Sequence, residues 1–267
     1  MDEILLSHEA GIRYYLLIGG FGLVAVWETL APRRALRSTI GRRWLTNIGL
    51  ILLISVGINS LFPLLAVGVA VAAKSSRFGL LNWIAVPELV AVTATLVVLD
   101  LTRYVQHVLL HRLPVLWRLH RVHHTDTDYD LTTGLRFHPL EALFMVSGEL
   151  LVVALLGAPP LAVLIYEVLY IVTGFTNHGN IRLPVRAERI LRRVLVTPEM
   201  HCVHHSILRE ETDSNFSAVF SGWDRLFRTY REQPHAGHAN MRFGLPEWRD
   251  QRCVSLPWLL ALPFRRA

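Results

Sequence analysis

The chain has 267 residues, 52% hydrophobic and 18% charged, a balance that excludes a disordered or fibrous protein and lies to the apolar side of soluble domains. Twenty-seven basic against twenty-one acidic residues give a net charge of +6, and every basic residue except Lys74 is arginine, clustered between apolar runs. That distribution suits a membrane surface better than nucleic acid. Two cysteines, Cys202 and Cys253, with no CxxC pair, exclude a disulfide framework and a structural zinc ribbon.

Crossing a hydrocarbon core roughly 30 Å thick takes about 20 mostly apolar residues. Residues 14–30 form the first such run, interrupted only by Glu28. Asp2, Glu3, His8 and Glu9 precede it with no basic residue among them, so it reads as a retained span and not as a signal peptide. Residues 44–73 are free of charge until Lys74, with Pro63 expected to kink or end the helix. Residues 78–99 contain only Glu88 and fade into Asp100 and Arg103. Residues 139–175 are too long for one crossing and are broken by Gly157, Ala158, Pro159 and Pro160, which predicts a hairpin of two helices.

Five crossings follow. Arg33, Arg34, Arg37, Arg42 and Arg43 lie in the first connection, against Lys74 and Arg77 in the second. The first is therefore expected on the cytoplasmic side. Alternation places 111–138 and everything after His178, including the arginine-rich 182–193, on that same side. The chain reads as one all-α unit over 1–267, a membrane helical bundle with a cytoplasmic helical cap, in which 231–267 is a cytoplasmic tail. Both cysteines then face a reducing compartment.

Thirteen histidines are the compositional anomaly. They group as His107-x3-His111, His120-x2-His123-His124, a lone His178, and His201-x2-His204-His205. Residues at i, i+3 and i+4 share a helix face, so each HxxHH trio is expected to aim three imidazoles at one point and HxxxH two. Asp100, Tyr104, His107 and His111 fall on one stripe, which makes Asp100 a candidate partner for the ring nitrogen of a ligand that does not bind metal. Neutral imidazoles suit Fe, Zn, Cu or Ni and disfavour Ca or Mg. The nine histidines of these clusters exceed what one ion holds, so two ions are expected. Soluble di-iron bundles use Glu-x-x-His ligands, a pattern lacking at these clusters.

The order HxxxH, HxxHH, HxxHH, with the first box closing a span as D-x3-Y-x2-H-x3-H-R, resembles the fatty acid hydroxylase superfamily, also called the sterol desaturase family. Supporting stretches are Trp117 through His124, Arg136-Phe137-His138-Pro139-Leu140-Glu141, Asn177 through Asn180, Thr197 through His201, Asp213 through Phe216 and Trp223 through Tyr230, and the likeness covers about 98–230. It implies a membrane stem with a histidine cage in the cap for two iron ions, with zinc possible in the protein as isolated. His107, His111, His120, His123, His124, His178, His201, His204 and His205 match the cage positions. Gly174 stands where some members carry a further histidine, and Ser217 and Arg228 where glycine is usual.

The resemblance implies a lipid, sterol-like or carotenoid substrate, hydroxylated or desaturated with O2 and external electrons. No flavin, haem or nicotinamide motif is present, so those electrons are expected from a ferredoxin, rubredoxin or cytochrome b5 type donor with its reductase. The arginine-rich cap suits an acidic carrier and lipid headgroups equally. A bacterial inner membrane is the expected location. Two other readings compete: a zinc-dependent lipid hydrolase, and a non-catalytic metal-binding membrane protein.

His138 is either an additional ligand or a helix cap. His235 and His238 are expected to be solvated, and His8 to lie on the surface. Glu149 and Glu167, mid-helix in the hairpin, either line a substrate tunnel or pair with another polar side chain. Cys202 lies off the ligand face, in packing.

Overall fold

The computed structural model describes residues 5–6, 8–36 and 40–266. Asp2, Glu3 and Arg37 lie outside them. The long helices are α1 (Glu9–Leu30), α2 (Ile40–Leu61), α3 (Ala66–Ser75), α4 (Glu88–Arg112), α5 (Pro114–His124), α6 (Pro139–Leu156) and α7 (Pro160–His178), followed by shorter α8 (Val185–Leu191), α9 (Pro198–His204) and α10 (Leu256–Ala261). Only isolated bridges, and no strand, occur among the described residues.

The breaks sit where proline and glycine chemistry puts them. α2 stops at Leu61, two residues before Pro63. The hairpin forms as the sequence predicts: α6 opens with Pro139 at its first position and ends on Gly157 at φ 64°, and α7 restarts at Pro160. Gly157 packs on Gly79, where a Cβ would fall 2.3 Å from the Gly157 nitrogen. This fastens the 76–84 connection to the hairpin tip.

At the opposite end, Arg33 N donates to Asn180 O at 2.8 Å and Glu28 accepts from the backbone of Leu131 and Asn180. The connections at 31–36, 113–138 and the segment that begins at 179 therefore share one end of the bundle. Of the basic residues between the first two apolar runs, Arg43, in the first turn of α2, is fully buried between Asp126 and Asp130, and Arg33 pairs with Glu199. These charges bind stem to cap.

Four segments are long and apolar enough to cross a membrane: Glu9–Leu30, Ile40–Trp83, Pro139–Leu156 and Pro160–His178. α4, expected as a fifth, is not among them. It runs between the same two ends as the central helix, and its buried Asp100, Arg103, Tyr104 and Gln106 face α6, α7 and the cap. The stem core joins Leu99 of α4 to Val153, Val163 and Tyr166 of the hairpin and Val67 and Ala70 of α3.

The C-terminal segment packs on the bundle. Trp258, Leu259 and Leu262 bury against Leu50 of α2 and Val122 of α5. The buried Arg136 bonds Val122 O, Asn47, Thr125 and Cys253 O at 2.5–3.0 Å, tying α2, α5 and the C-terminal segment together.

Candidate metal centre

Three helix ends and one C-terminal turn bring the histidines together. α4 delivers His107 and His111 as it enters the cap. α5, opened by Pro114, delivers His120, His123 and His124. α9 is fixed at its start by Pro198 and by Thr197, whose hydroxyl accepts from Met200 N, and it delivers His201, His204 and His205. His178 is the last residue of α7.

The trios do not each converge on one point as expected. His107, His111, His120, His124 and His204 form one group and His123, His178, His201 and His205 a second, with ligand atoms inside each group within 4.8 Å of one another. The i,i+4 pairs 107/111, 120/124 and 201/205 stay together, while His123 and His204, at i+3, cross to the other group. A 3.6-residue period offsets i+3 from i+4 by about one-quarter turn, enough to serve two neighbouring centres from one helix.

Five of the nine outer nitrogens face oxygen acceptors, while His123 Nδ1 and His201 Nδ1 are buried without a partner. His107 Nδ1 donates to Phe216 O at 2.8 Å, His120 Nδ1 to Glu141 Oε1 at 2.6 Å, His178 Nδ1 to Gly174 O at 2.9 Å and His204 Nδ1 to Ser214 O at 2.7 Å. His111 Nδ1 faces Asp213 Oδ1 at 3.2 Å. Each such bond sets the tautomer that leaves an Nε2 lone pair facing inward. His107 Nε2 and His120 Nε2, both lone-pair atoms, stand 3.1 Å apart, and the buried His111 Nε2 and His204 Nε2 have no hydrogen-bond partner.

Burial, followed by the neighbouring imidazoles, holds His123, His124, His201 and His205 well below the ordinary histidine range and brings His204 down to about 3. Neutral rings with converging lone pairs repel one another unless a cation lies between them. The donor set, all nitrogen and largely buried, therefore fits a pair of transition ions and not oxygen-seeking Ca or Mg.

An apolar cavity of about 340 Å³ abuts both groups. Its walls include Leu17 of α1, Ile51 and Ile54 of α2, Met145 and Val146 of α6, and Ile171 and Phe175 of α7, and it reaches His107, His120, His123, His178 and His201. Gly174 lies on this wall, and a Cβ there would meet nothing within 4 Å.

The remaining residues fall partly where expected and partly elsewhere. Asp100 touches no histidine: it accepts from Val219 N, Phe220 N, Trp223 Nε1 and Tyr166 OH at 2.8–3.2 Å, anchoring the 219–223 segment to α4. His138 belongs to neither group; its Nδ1 caps α6 by accepting from Leu140 N, and its Nε2 lies 3.2 Å from Leu260 O. His238 is half-buried, with Nδ1 3.2 Å from Cys202 Sγ, whereas His235 and His8 are exposed. Cys202 and Cys253 are free and buried. Glu149 pairs with Arg103 and Glu167 with Arg13, and neither glutamate lines the cavity. Arg228 has φ 61°, the left-handed region that favours the glycine usual at its position, and Ser217 bonds Asp224 through its backbone N.

The sequence reading missed Glu141 and Asp213 as orienting carboxylates. It also missed Phe137, which stacks on His123 at 4.5 Å, and Tyr129, 5.1 Å from His205. Glu141 carried a signal, since it closes the quoted Arg136–Glu141 stretch one turn into α6 beside the cage. The carbonyl acceptors carried none.

Fold and site define an integral membrane helical protein with two neighbouring, nitrogen-lined histidine groups that could hold metal, at the head of an apolar cavity. The chain belongs to the fatty acid hydroxylase family, whose model matches residues 92–229, more than half of its length. It is 30% identical over 184 residues to an ornithine lipid hydroxylase of Rhizobium tropici, covering 68% of this chain and 54% of that protein. It is 27% identical over 142 residues to a cholesterol 25-hydroxylase of Rattus norvegicus, covering 53% of this chain and 47% of that protein. It is 28% identical over 134 residues to an alkylglycerol monooxygenase of Homo sapiens, covering 50% and 29%. The chain spans about half or less of the length of these curated relatives. No solved structure matches it.

Proposed function

We propose that this chain is a membrane-bound di-iron oxygenase that hydroxylates a lipid. One observation carries the reading: the apolar cavity ends on histidines of both groups, so a hydrocarbon chain inside it lies against the place where two ions would sit. His107, His111, His120, His124 and His204 would hold one ion and His123, His178, His201 and His205 the other. Iron bound there would supply dioxygen activation, drawing two electrons from outside the chain. The protein's part is to hold neutral rings by their outer nitrogens, to keep water from the reacting carbon with the apolar wall, and to fix the chain of the substrate.

The relatives are named hydroxylases and monooxygenases, which supports hydroxylation over desaturation. The arginine asymmetry of the connections supports a cap on the cytoplasmic face, and a bacterial inner membrane is the location inferred from the arginine-for-lysine bias, the endoplasmic reticulum offering the same geometry. That side gives access to a ferredoxin, rubredoxin or cytochrome b5 type donor.

The test compares membrane lipids from cells expressing the intact chain and His204→Ala under isotopically heavy dioxygen. Heavy oxygen in a lipid hydroxyl, lost in the variant, is the expected result. A product formed equally without dioxygen would replace this reading with metal-dependent hydrolysis.

A further inference from the structure

Resting on the reading that the cavity holds the lipid, we propose that Arg103 binds a neutral carbonyl of the substrate, so that the chain takes ester- or amide-linked acyl lipids in preference to free fatty acids. Arg103 lies on α4 one turn before His107, roughly 6 Å along the helix axis, and it contributes to the cavity wall. Arg103 is 8% exposed, donates from Nη2 to Glu149 Oε2 at 2.5 Å and stacks over the Tyr170 ring at 4.7 Å. Its Nε is buried with no acceptor, and Nη1, which is not closed off in that way, has none either.

A buried guanidinium with an idle N–H in an apolar cavity is costly unless a ligand completes it. The other idle polar atoms on the same wall are two acceptors, Glu141 Oε2 and Asn177 Oδ1, and the ring nitrogens His123 Nδ1 and His201 Nδ1 of the cage itself. Arg103 is thus the donor outside the histidine groups suited to a substrate oxygen. Glu149 decides which oxygen. It already neutralises the guanidinium, so the pair carries no net charge, and a second carboxylate would meet the repulsion of Glu149 at close range in a low-dielectric wall. A carbonyl accepts the same hydrogen bond without that penalty. Its proximity to the cage also confines reaction to carbons near the carbonyl end.

Competition against tritiated hexadecane, bound to the full chain in detergent, tests this without turnover. N-methylpalmitamide should displace the tracer at least about tenfold better than unlabelled hexadecane, the scale of one hydrogen bond to a charged group, and palmitate should not exceed the amide. The double variant R103M/E149M, which replaces the pair by apolar groups, should keep hexadecane binding and lose the preference for the amide. E149Q should turn the preference toward palmitate, a reversal that a purely structural Arg103 would not produce. Equal binding of amide and hexadecane, tighter binding of palmitate to the unaltered chain, an amide preference surviving in the double variant, or no reversal in E149Q would overturn the proposal. Failure of the tracer itself to bind would instead remove the lipid-cavity reading beneath it.

Discussion

Glu141 and His120 are joined by a 2.6 Å bond from Nδ1 to Oε1, with both side chains buried and Glu141 lining the apolar cavity. The pair links α6 to α5, and one carboxylate both sets a ring's tautomer and borders the space beside it. His111 faces Asp213 in a similar way, but at 3.2 Å and with a half-buried carboxylate. The five-histidine group thus has carboxylate support on two rings, while the oxygen support resolved for the four-histidine group is the Gly174 carbonyl.

Replacing Glu141 by leucine should lower metal affinity by about 10- to 100-fold, the usual effect of removing a partner that orients a ligand. Glu141→Gln should lose less, because the amide oxygen still accepts from Nδ1. Chelator titration of the purified chain with metal analysis reads both. Unchanged affinity in Glu141→Leu would mean that packing alone fixes the His120 ring.

The metal-free protein should lose stability on acidification. Burial, followed by the charge of His120, brings the folded His204 ring down to about 3, whereas the unfolded ring titrates near 6.5. Between these values the unfolded state binds more protons, so stability falls as pH drops, by about 1.4 kcal/mol per pH unit for each such ring. His123, His124, His201 and His205 are shifted in the same direction. Melting of chelator-stripped protein in detergent should drop steeply between neutral pH and about pH 5. A flat profile would show that the rings are not buried as neutral groups.

The histidine clusters could be read from the chain because i,i+3,i+4 spacing is a property of the helix itself. The division of each trio between two groups was not, since it depends on how α4, α5 and α9 approach one another. Asp100 illustrates the same limit. Its stripe with His107 was real, but the stripe gives a direction along α4 and not the identity of what packs there, and the 219–223 backbone takes it. The packing of the C-terminal segment was not legible because Trp258, Leu259 and Leu262 are apolar without a long run, and their burial appears only once α2 and α5 supply a surface. The hairpin was legible to within a few residues because Gly157 and Pro160 act locally.

Arg228→Gly should stabilise the cap by up to about 1 kcal/mol. Relief of a left-handed backbone at φ 61° is worth about 1–2 kcal/mol, partly offset by the greater freedom of glycine in the unfolded chain. A detergent melt of the metal-loaded variant checks it, and a lower midpoint would show that the Arg228 side chain contributes more than its backbone costs.

Arg43→Met should be the most damaging single change in the junction of stem and cap. Arg43 donates to Asp126 at 2.8 and 2.9 Å and to Asp130 at 2.6 Å, with all three residues buried. Removing it leaves two carboxylates without their counter-charge, which costs about 3–5 kcal/mol for a buried pair. Adding Asp126→Asn should recover only part of this, because Asp130 also accepts from Thr132 N and Trp44 Nε1 and fixes the 131–135 turn. The damage should reach the metal centre unevenly. Asp126 and Asp130 flank Tyr129, whose ring lies against His205 and whose hydroxyl donates to Asn177 O, beside His178. The four-histidine group should therefore release its ion before the five-histidine group, seen as a two-step loss in chelator titration of the variant against a narrower transition in the unaltered chain. A single unchanged transition would show that the junction stabilises the fold without supporting the second group.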